Sequence, residues 1–325
     1  MALVVTLQVA GCNRAAEPLI IYSGRTENLV GPLLERFAED TGIPIDVRYG
    51  DSAELALLLS EEGERSEADV FLSQSPGPAG FLASKGLLSE LDEDVLKRVS
   101  EGSKDQRGRW VGTTGRVRVL VYNREMVSES ELPKSIFETT DPKYDGKVGV
   151  APTNASFQDA VTAMRHAVGD ERTLSWLKGL VTNHSPTYAN NNAIVEAVGR
   201  GEIPLGLVNH YYNFRFLADD PDLPSRNYIF PNADLGSVLL VSPVAMLRSS
   251  EDESRARRFI EFLLSEQAQE YFSKETFEYP LAAGVKPFHD LPPLDSLHLP
   301  VYQLDERAGD LERTTDLIAE SGLER

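Results

Sequence analysis

Apolar and polar positions along the chain sort into short runs and helical stripes. Leu19-Ile20-Ile21-Tyr22 predicts a first strand, followed by the polar loop Ser23-Gly24-Arg25-Thr26-Glu27. Across residues 29–41 apolar side chains recur at helical spacing, with Leu33, Leu34, Phe37 and Ala38 on one face and Gly42 closing the segment. Residues 45–49 read as a second strand, 52–63 as a second helix and 68–72 as a third strand that ends in Ser73-Gln74-Ser75-Pro76-Gly77. Strand and helix alternate through short loops, which predicts a parallel sheet flanked by helices. In such a sheet the loops after the strands reach the ligand, here the loop from Ser23 to Glu27 and the loop from Ser73 to Gly77.

After a helix at 80–85, residues 111–122 alternate sharply, which puts Arg116 and Arg118 on one face of a strand. A second lobe begins here. It holds a short strand at 148–152, then Thr153-Asn154-Ala155-Ser156 opening a helix over 157–168, then helices at 173–180 and 193–199. The run 203–208 predicts a strand, Asn209-His210 a turn, and Tyr211-Tyr212 the start of the next helix. A late apolar run at 238–246 returns the chain to the first lobe, and 251–270 reads as one helix patterned on Phe259, Ile260, Phe262 and Leu263. The expected division is 1–17 as leader and tether, 18–116 plus 240–288 as first lobe, and 117–239 plus 289–325 as second lobe. Two crossovers join them, near 113–119 and 235–241.

A chain of 325 residues suits two lobes better than one core. With 32 basic and 51 acidic residues the formal charge is −19, which excludes a nucleic-acid partner that needs a basic face. The single cysteine, Cys12, precludes an internal disulfide. It ends a short apolar stretch, Val9-Ala10-Gly11-Cys12, that resembles a bacterial lipobox, and Asn13 to Glu17 then reads as a tether. No Lys or Arg precedes that stretch, and it is short for a secretion signal. The expectation is therefore a lipid-anchored Cys12 with a true start upstream of Met1; the alternative is coincidence.

The adjacent tyrosines carry the chemistry. On a strand two neighbouring rings point to opposite faces, whereas at a helix start they lie about 100° apart and both hydroxyls lean towards one point. Phenolate is a hard anionic donor suited to a hard ion such as Fe(III). A bare Tyr-Tyr pair is also ordinary packing, so the pair alone does not decide. The five histidines form no metal-binding spacing, and no nucleophile elbow or phosphate loop is present. His210 reads as structural, pointing away from the tyrosines.

Several strings, in order, carry a resemblance. They are Tyr22-Ser23-Gly24, Glu67-Ala68-Asp69-Val70-Phe71, Gly115 to Val119, and Ala151-Pro152-Thr153. Trp176-Leu177-Lys178-Gly179-Leu180, Tyr188-Ala189 with Asn191, and Asn209 before Tyr211-Tyr212 continue it. From Leu19 to about Phe288 the chain resembles the ferric-ion-binding proteins of bacterial ABC importers. The resemblance implies an α/β, two-lobed, type II periplasmic-binding-protein fold with its ligand cleft between the lobes. It implies a non-enzymatic, monomeric, extracytoplasmic protein that carries Fe(III) to a membrane permease.

The same resemblance implies Tyr211 and Tyr212 as principal iron ligands, with a synergistic anion, phosphate or carbonate. Asn154, Ala155, Ser156, Asn191 and Asn209 match the family's anion cradle, and a helix N-terminus suits an anion physically. Asn154 or Thr153 can equally serve as a plain N-cap. Arg116 adds a guanidinium that can pair with the anion, while Arg25 reads equally as an anion partner or a structural ion pair. There are departures. Many relatives place a His where Thr26 stands, with Glu27 beside it, and a Glu where this chain has Gln74. Glu27 and Gln74 are thus the first lobe's candidate ligands. Phe157 stands near where some relatives carry a further tyrosine. The rival expectation is an organic ligand such as thiamine or 2-aminoethylphosphonate, with the tyrosines as stacking rings.

Overall fold

A computed structural model describes residues 17–288, 291–300 and 311–323. Three strands form the parallel part of the sheet: β1 (Leu19–Ser23) lies between β2 (Ile45–Tyr49) and β3 (Val70–Leu72). Helices α1 (Glu27–Thr41) and α2 (Ser52–Glu62) make the crossovers, as the alternating pattern predicts. Gly42 ends α1 in the left-handed region, φ 68°, where it costs no Cβ clash. Helix α3 (Pro76–Ser84) begins four residues earlier than expected. Pro76 sits at its first position, where the missing N–H is not needed, so a residue pair read as loop is a helix start. A single turn, α4 (Glu93–Leu96), follows.

The thirteen-residue strand β4 (Val111–Asn123), buried throughout, belongs to both lobes. From Val111 to Val117 it pairs antiparallel with β8 (Leu239–Met246), which in turn borders β3. From Arg118 to Tyr122 it pairs antiparallel with β6 (Leu205–Asn209), and β5 (Val148–Gly149) adds to β6 in parallel. Two short strands, β7 (Ser225–Tyr228) and β9 (Tyr279–Pro280), also border β4. The change of partner falls between Val117 and Arg118, with the Arg118 N–H still donating to Val238 O at 3.0 Å. The crossover strand therefore delivers Arg116 and Arg118 to the point where the lobes meet.

Each side of that point has its own apolar core. Ile21, Phe37, Phe71, Trp110, Val244, Phe259 and Phe272 cluster on one side. Leu120, Phe157, Trp176, Leu205 and Leu317 cluster on the other, beside a third group built on Val119, Ile194 and Val208. Helices α5 (Ala155–Val168), α6 (Asp170–Thr182), α7 (Asn191–Gly199) and α8 (His210–Asp219) cover the second sheet. The expected single helix at 251–270 is two, α9 (Glu253–Leu263) and α10 (Glu266–Glu275). Ser265 breaks it by accepting the Ala268 N–H and so capping a new helix, a stop that apolar periodicity does not reveal. The last helix is α11 (Leu311–Ser321), with Leu317 and Ile318 in the second core.

Candidate metal and anion site

Strand β6 passes into α8 without the expected turn, so Asn209 ends the strand and His210 starts the helix. Tyr211 and Tyr212 therefore occupy the first turn of α8. Their rings lie 4.2 Å apart, centroid to centroid, at an interplanar angle of 29°. Tyr211 is 4% exposed and Tyr212 half-buried. Arg215, one turn further on, lies over the Tyr211 ring at 4.7 Å and fixes its plane. Burial, then the neighbouring Tyr212, holds the Tyr211 hydroxyl far above the usual phenol range, against the pull of Arg116. Tyr211 is thus a neutral phenol until something strongly positive arrives.

His210 faces the other way, as expected. Its Nδ1 accepts the Val117 N–H at 3.1 Å and its Nε2 meets Phe277 O at 2.8 Å. Those partners require a neutral ring protonated on Nε2, and burial pushes its pKa down to about 4. Arg25 settles as a structural residue: it pairs with Glu278 at 2.8 Å, both 1% exposed, and also donates to Thr114 and Ser242.

The tyrosines open onto a cavity of about 750 Å³ between the lobes. Arg116 and Gln74 line it, as do Asn154, Ala155 and Ser156. The Arg116 Nη2 donates to Gln74 O. Arg118, 4% exposed, donates to Ser156 Oγ, Asn209 Oδ1 and Leu207 O at 3.3, 3.2 and 3.0 Å. Burial lowers the Arg118 pKa to about 10, opposed by attraction to Tyr212, Asp159 and Tyr211, so it stays cationic at neutral pH. Both guanidinium groups thus attract the phenol oxygens electrostatically, Arg116 from the cavity wall and Arg118 from behind it.

The cradle residues come together as a hydrogen-bonded knot. Asn154 caps α5, and its Oδ1 accepts from the Ser156 N–H, the Ser156 hydroxyl and Asn191 Nδ2. Asn191 also donates to Ser156 Oγ at 3.0 Å. Asn191 and Asn209 are buried behind the cavity wall rather than on it. Asn209 Nδ2 has no hydrogen-bond partner. Of the two first-lobe candidates, Gln74 is on the wall. Glu27 is not: it is exposed in the first turn of α1, beside Tyr49. Cys12 lies outside the described residues.

Asp159 and Ser52, both on the cavity wall, are among the residues the sequence reading did not single out. Asp159 points into the cleft from α5, where only its spacing of three and four residues from Ser156 and Ala155 signalled a shared face. Ser52 and Gly24 shape the first-lobe wall. A Cβ at Gly24 would stand 1.9 Å from Ser52 Oγ, which itself receives the Gln74 N–H at 2.9 Å. Among the described residues no group of three or more His, Cys, Asp or Glu could hold a metal ion.

Two lobes with separate cores, sharing strand β4 and facing a polar cleft, are the architecture of a solute-binding protein. Residues 66–299 match the family described as bacterial extracellular solute-binding protein. The chain is 32% identical over 312 residues to an Fe(3+)-binding periplasmic protein of Serratia marcescens, covering 95% of this chain and 91% of that one. It is 30% identical to a major ferric iron-binding protein of Neisseria meningitidis, covering 95% and 94%. The solved structure of iron-bound HitA from Pseudomonas aeruginosa aligns with a TM-score of 0.86 at 33% identity, over 94% of this chain and 99% of that one. The chain belongs to the periplasmic ferric-ion-binding family of bacterial extracellular solute-binding proteins.

Proposed function

We propose that this protein captures Fe(III) outside the cytoplasm and delivers it to an ABC permease, with Tyr211 and Tyr212 as principal ligands. The observation that carries this reading is the pair of phenols in the first turn of α8, opening onto the cleft beside Arg116 and within electrostatic reach of Arg118. The positive charge of these guanidinium groups favours phenolate once a metal displaces the protons. A synergistic anion, phosphate or carbonate, completes the coordination from the cradle of Asn154, Ala155 and Ser156. Gln74 offers a neutral oxygen from the first lobe, and lipid on Cys12 holds the protein at the membrane. The similarity to the Serratia and Neisseria iron-binding proteins supports the choice of metal.

A visible phenolate-to-Fe(III) charge-transfer band on adding ferric citrate, lost in Tyr212→Phe, tests the proposal. An organic ligand is the second reading, favoured by a cavity of about 750 Å³, within the range of small-molecule sites and roomy for one ion. That reading predicts no visible band.

A further inference from the structure

Phe277 leaves helix α10 in a conformation its side chain does not favour. It follows the C-cap, Thr276, with φ 59°, the left-handed region in which a helix ordinarily ends on glycine. A bulky residue persists there only where its surroundings hold it, and such positions gather at ligand clamps and switches. What holds Phe277 comes from the other lobe. Its carbonyl accepts from His210 Nε2 at 2.8 Å, and its ring lies parallel to that of Phe214, 6.4 Å away at 4°. His210 and Phe214 stand one turn apart on α8, the helix that carries Tyr211 and Tyr212. Phe277, by contrast, follows a helix whose Phe272 belongs to the first-lobe core.

The same imidazole also reaches the crossover strand. His210, 2% exposed, takes the Val117 N–H on Nδ1 at 3.1 Å, at the residue after which β4 changes partner from β8 to β6. Its ring rests on Tyr279 of β9 at 4.7 Å, and β9 pairs with Thr114 and Gly115 of β4. Its backbone carbonyl accepts from Asn227 Nδ2 on β7 at 2.9 Å. The first residue of the tyrosine helix is therefore tied at once to the hinge strand, to the first lobe and to its own lobe. Closure about a hinge leaves the residues on its axis nearly in place, so a helix pinned there keeps its orientation while the lobes swing.

Resting on the ferric reading above, we infer that His210 and Phe277 form a strap at the hinge that positions the tyrosine pair. The strap holds the first turn of α8 against the first lobe, so that both phenol oxygens meet the metal as the lobes close. It acts through the tyrosines and not on the metal. The Phe277 arm carries the link between lobes, and the Val117 arm registers α8 on the shared strand.

The experiment compares variants that cut one arm each, with ferric citrate at constant phosphate, following affinity and the visible band. Asparagine offers an acceptor where Nδ1 lies but does not reach Phe277, whereas glutamine offers a donor near the place of Nε2. His210→Asn and Phe277→Gly should each move the maximum of the band. Each should also weaken iron binding at least about tenfold, as removing a partner outside a metal's first shell does. His210→Gln should keep most of the affinity. Because both changes cut one link, combining His210→Asn with Phe277→Gly should cost no more than the larger single loss. Phe277→Gly relieves the backbone and lies away from the tyrosines in sequence, so it decides the matter should the His210 variants fold poorly. Three results would each overturn the inference and leave the ferric reading intact. They are parental affinity and band in folded Phe277→Gly, a loss in His210→Gln as large as in His210→Asn, and additive losses in the double variant. Absence of the band in the wild-type protein overturns the ferric reading, and this inference with it.

Discussion

The rings of Tyr211 and Tyr212 stack 4.2 Å apart at 29°, although they are neighbours in sequence. A strand would send adjacent side chains to opposite faces, whereas in the first turn of α8 both tyrosines border one cavity. Replacing either with Phe keeps the ring and deletes a single oxygen. Each variant, Tyr211→Phe and Tyr212→Phe, should lose at least about 100-fold in Fe(III) affinity, since even partners outside the first shell of a metal cost up to that much. Citrate competition at constant anion checks this. Parental affinity in both variants would remove the ferric assignment.

Iron binding should release protons. Tyr211 is neutral, held so by burial and by Tyr212. A metal needs phenolate, so each phenol ligand expels a proton and affinity must fall as pH falls. About tenfold per pH unit per released proton is expected, between pH 8 and 6. Calorimetry in two buffers of different ionisation enthalpy measures the count, and no release would contradict phenolate ligation.

That Tyr211 and Tyr212 open a helix, that Asn154 to Ser156 share their cavity, and that one strand serves both lobes were legible because each leaves a mark in sequence. Tyr-Tyr after a strand, Asn154 before a helical stripe, and alternation at Arg116 and Arg118 are such marks. Asp159 was not legible. It sits in an amphipathic helix whose polar face reads the same whether water or a second lobe covers it. The direction of Glu27 was illegible for a related reason: proximity in the first loop says nothing of direction, and the first turn of α1 turns it towards Tyr49. The break at Ser265 and the early start at Pro76 are capping events, which periodicity blurs.

His210 should make the ligand-free protein sensitive to mild acid. Its folded pKa, about 4 through burial, lies below the free value of 6.5. The unfolded chain therefore binds more protons between those values. Stability from this group is complete above about pH 6.5 and is lost as pH falls towards 4, on the order of 3 kcal/mol in all. Thermal melts from pH 7.5 to 4.5 should show a shallower decline in His210→Gln than in the parent. Parallel slopes would refute the role.

The buried pair of Arg25 and Glu278 should matter more for folding than for binding. Burial alone would raise the Glu278 pKa, but Arg25 and Arg116 hold it below the ordinary value, so the carboxylate stays charged. Glu278→Gln leaves Arg25 buried without its counter-ion and should cost about 3–5 kcal/mol in urea unfolding. A loss below about 1 kcal/mol would show that water relieves the site.

Gln74 offers a gain rather than a loss. Its backbone is fixed on both sides: the N–H donates to Ser52 Oγ, and the carbonyl accepts from Arg116 Nη2 and from Ser242 Oγ at 3.2 Å. Ser52 in turn packs where Gly24 has no Cβ. The loop therefore has little freedom, and Gln74 faces the cavity from the lobe opposite the tyrosines. Gln74→Glu preserves shape and swaps a neutral amide oxygen for an anionic one, the better donor to a hard trivalent ion. Asp159 and Asp51 oppose the added charge while the site is empty, so the variant should be less stable without iron. Once bound, the metal outweighs both. Iron affinity should rise by roughly tenfold or more, whereas Glu27→Gln, exposed and off the cavity wall, should change it little. Tighter binding in Gln74→Glu with no change in Glu27→Gln is the expected pair of results. A weaker Gln74→Glu, or a large loss in Glu27→Gln, would mean that the first lobe presents a different face to the metal.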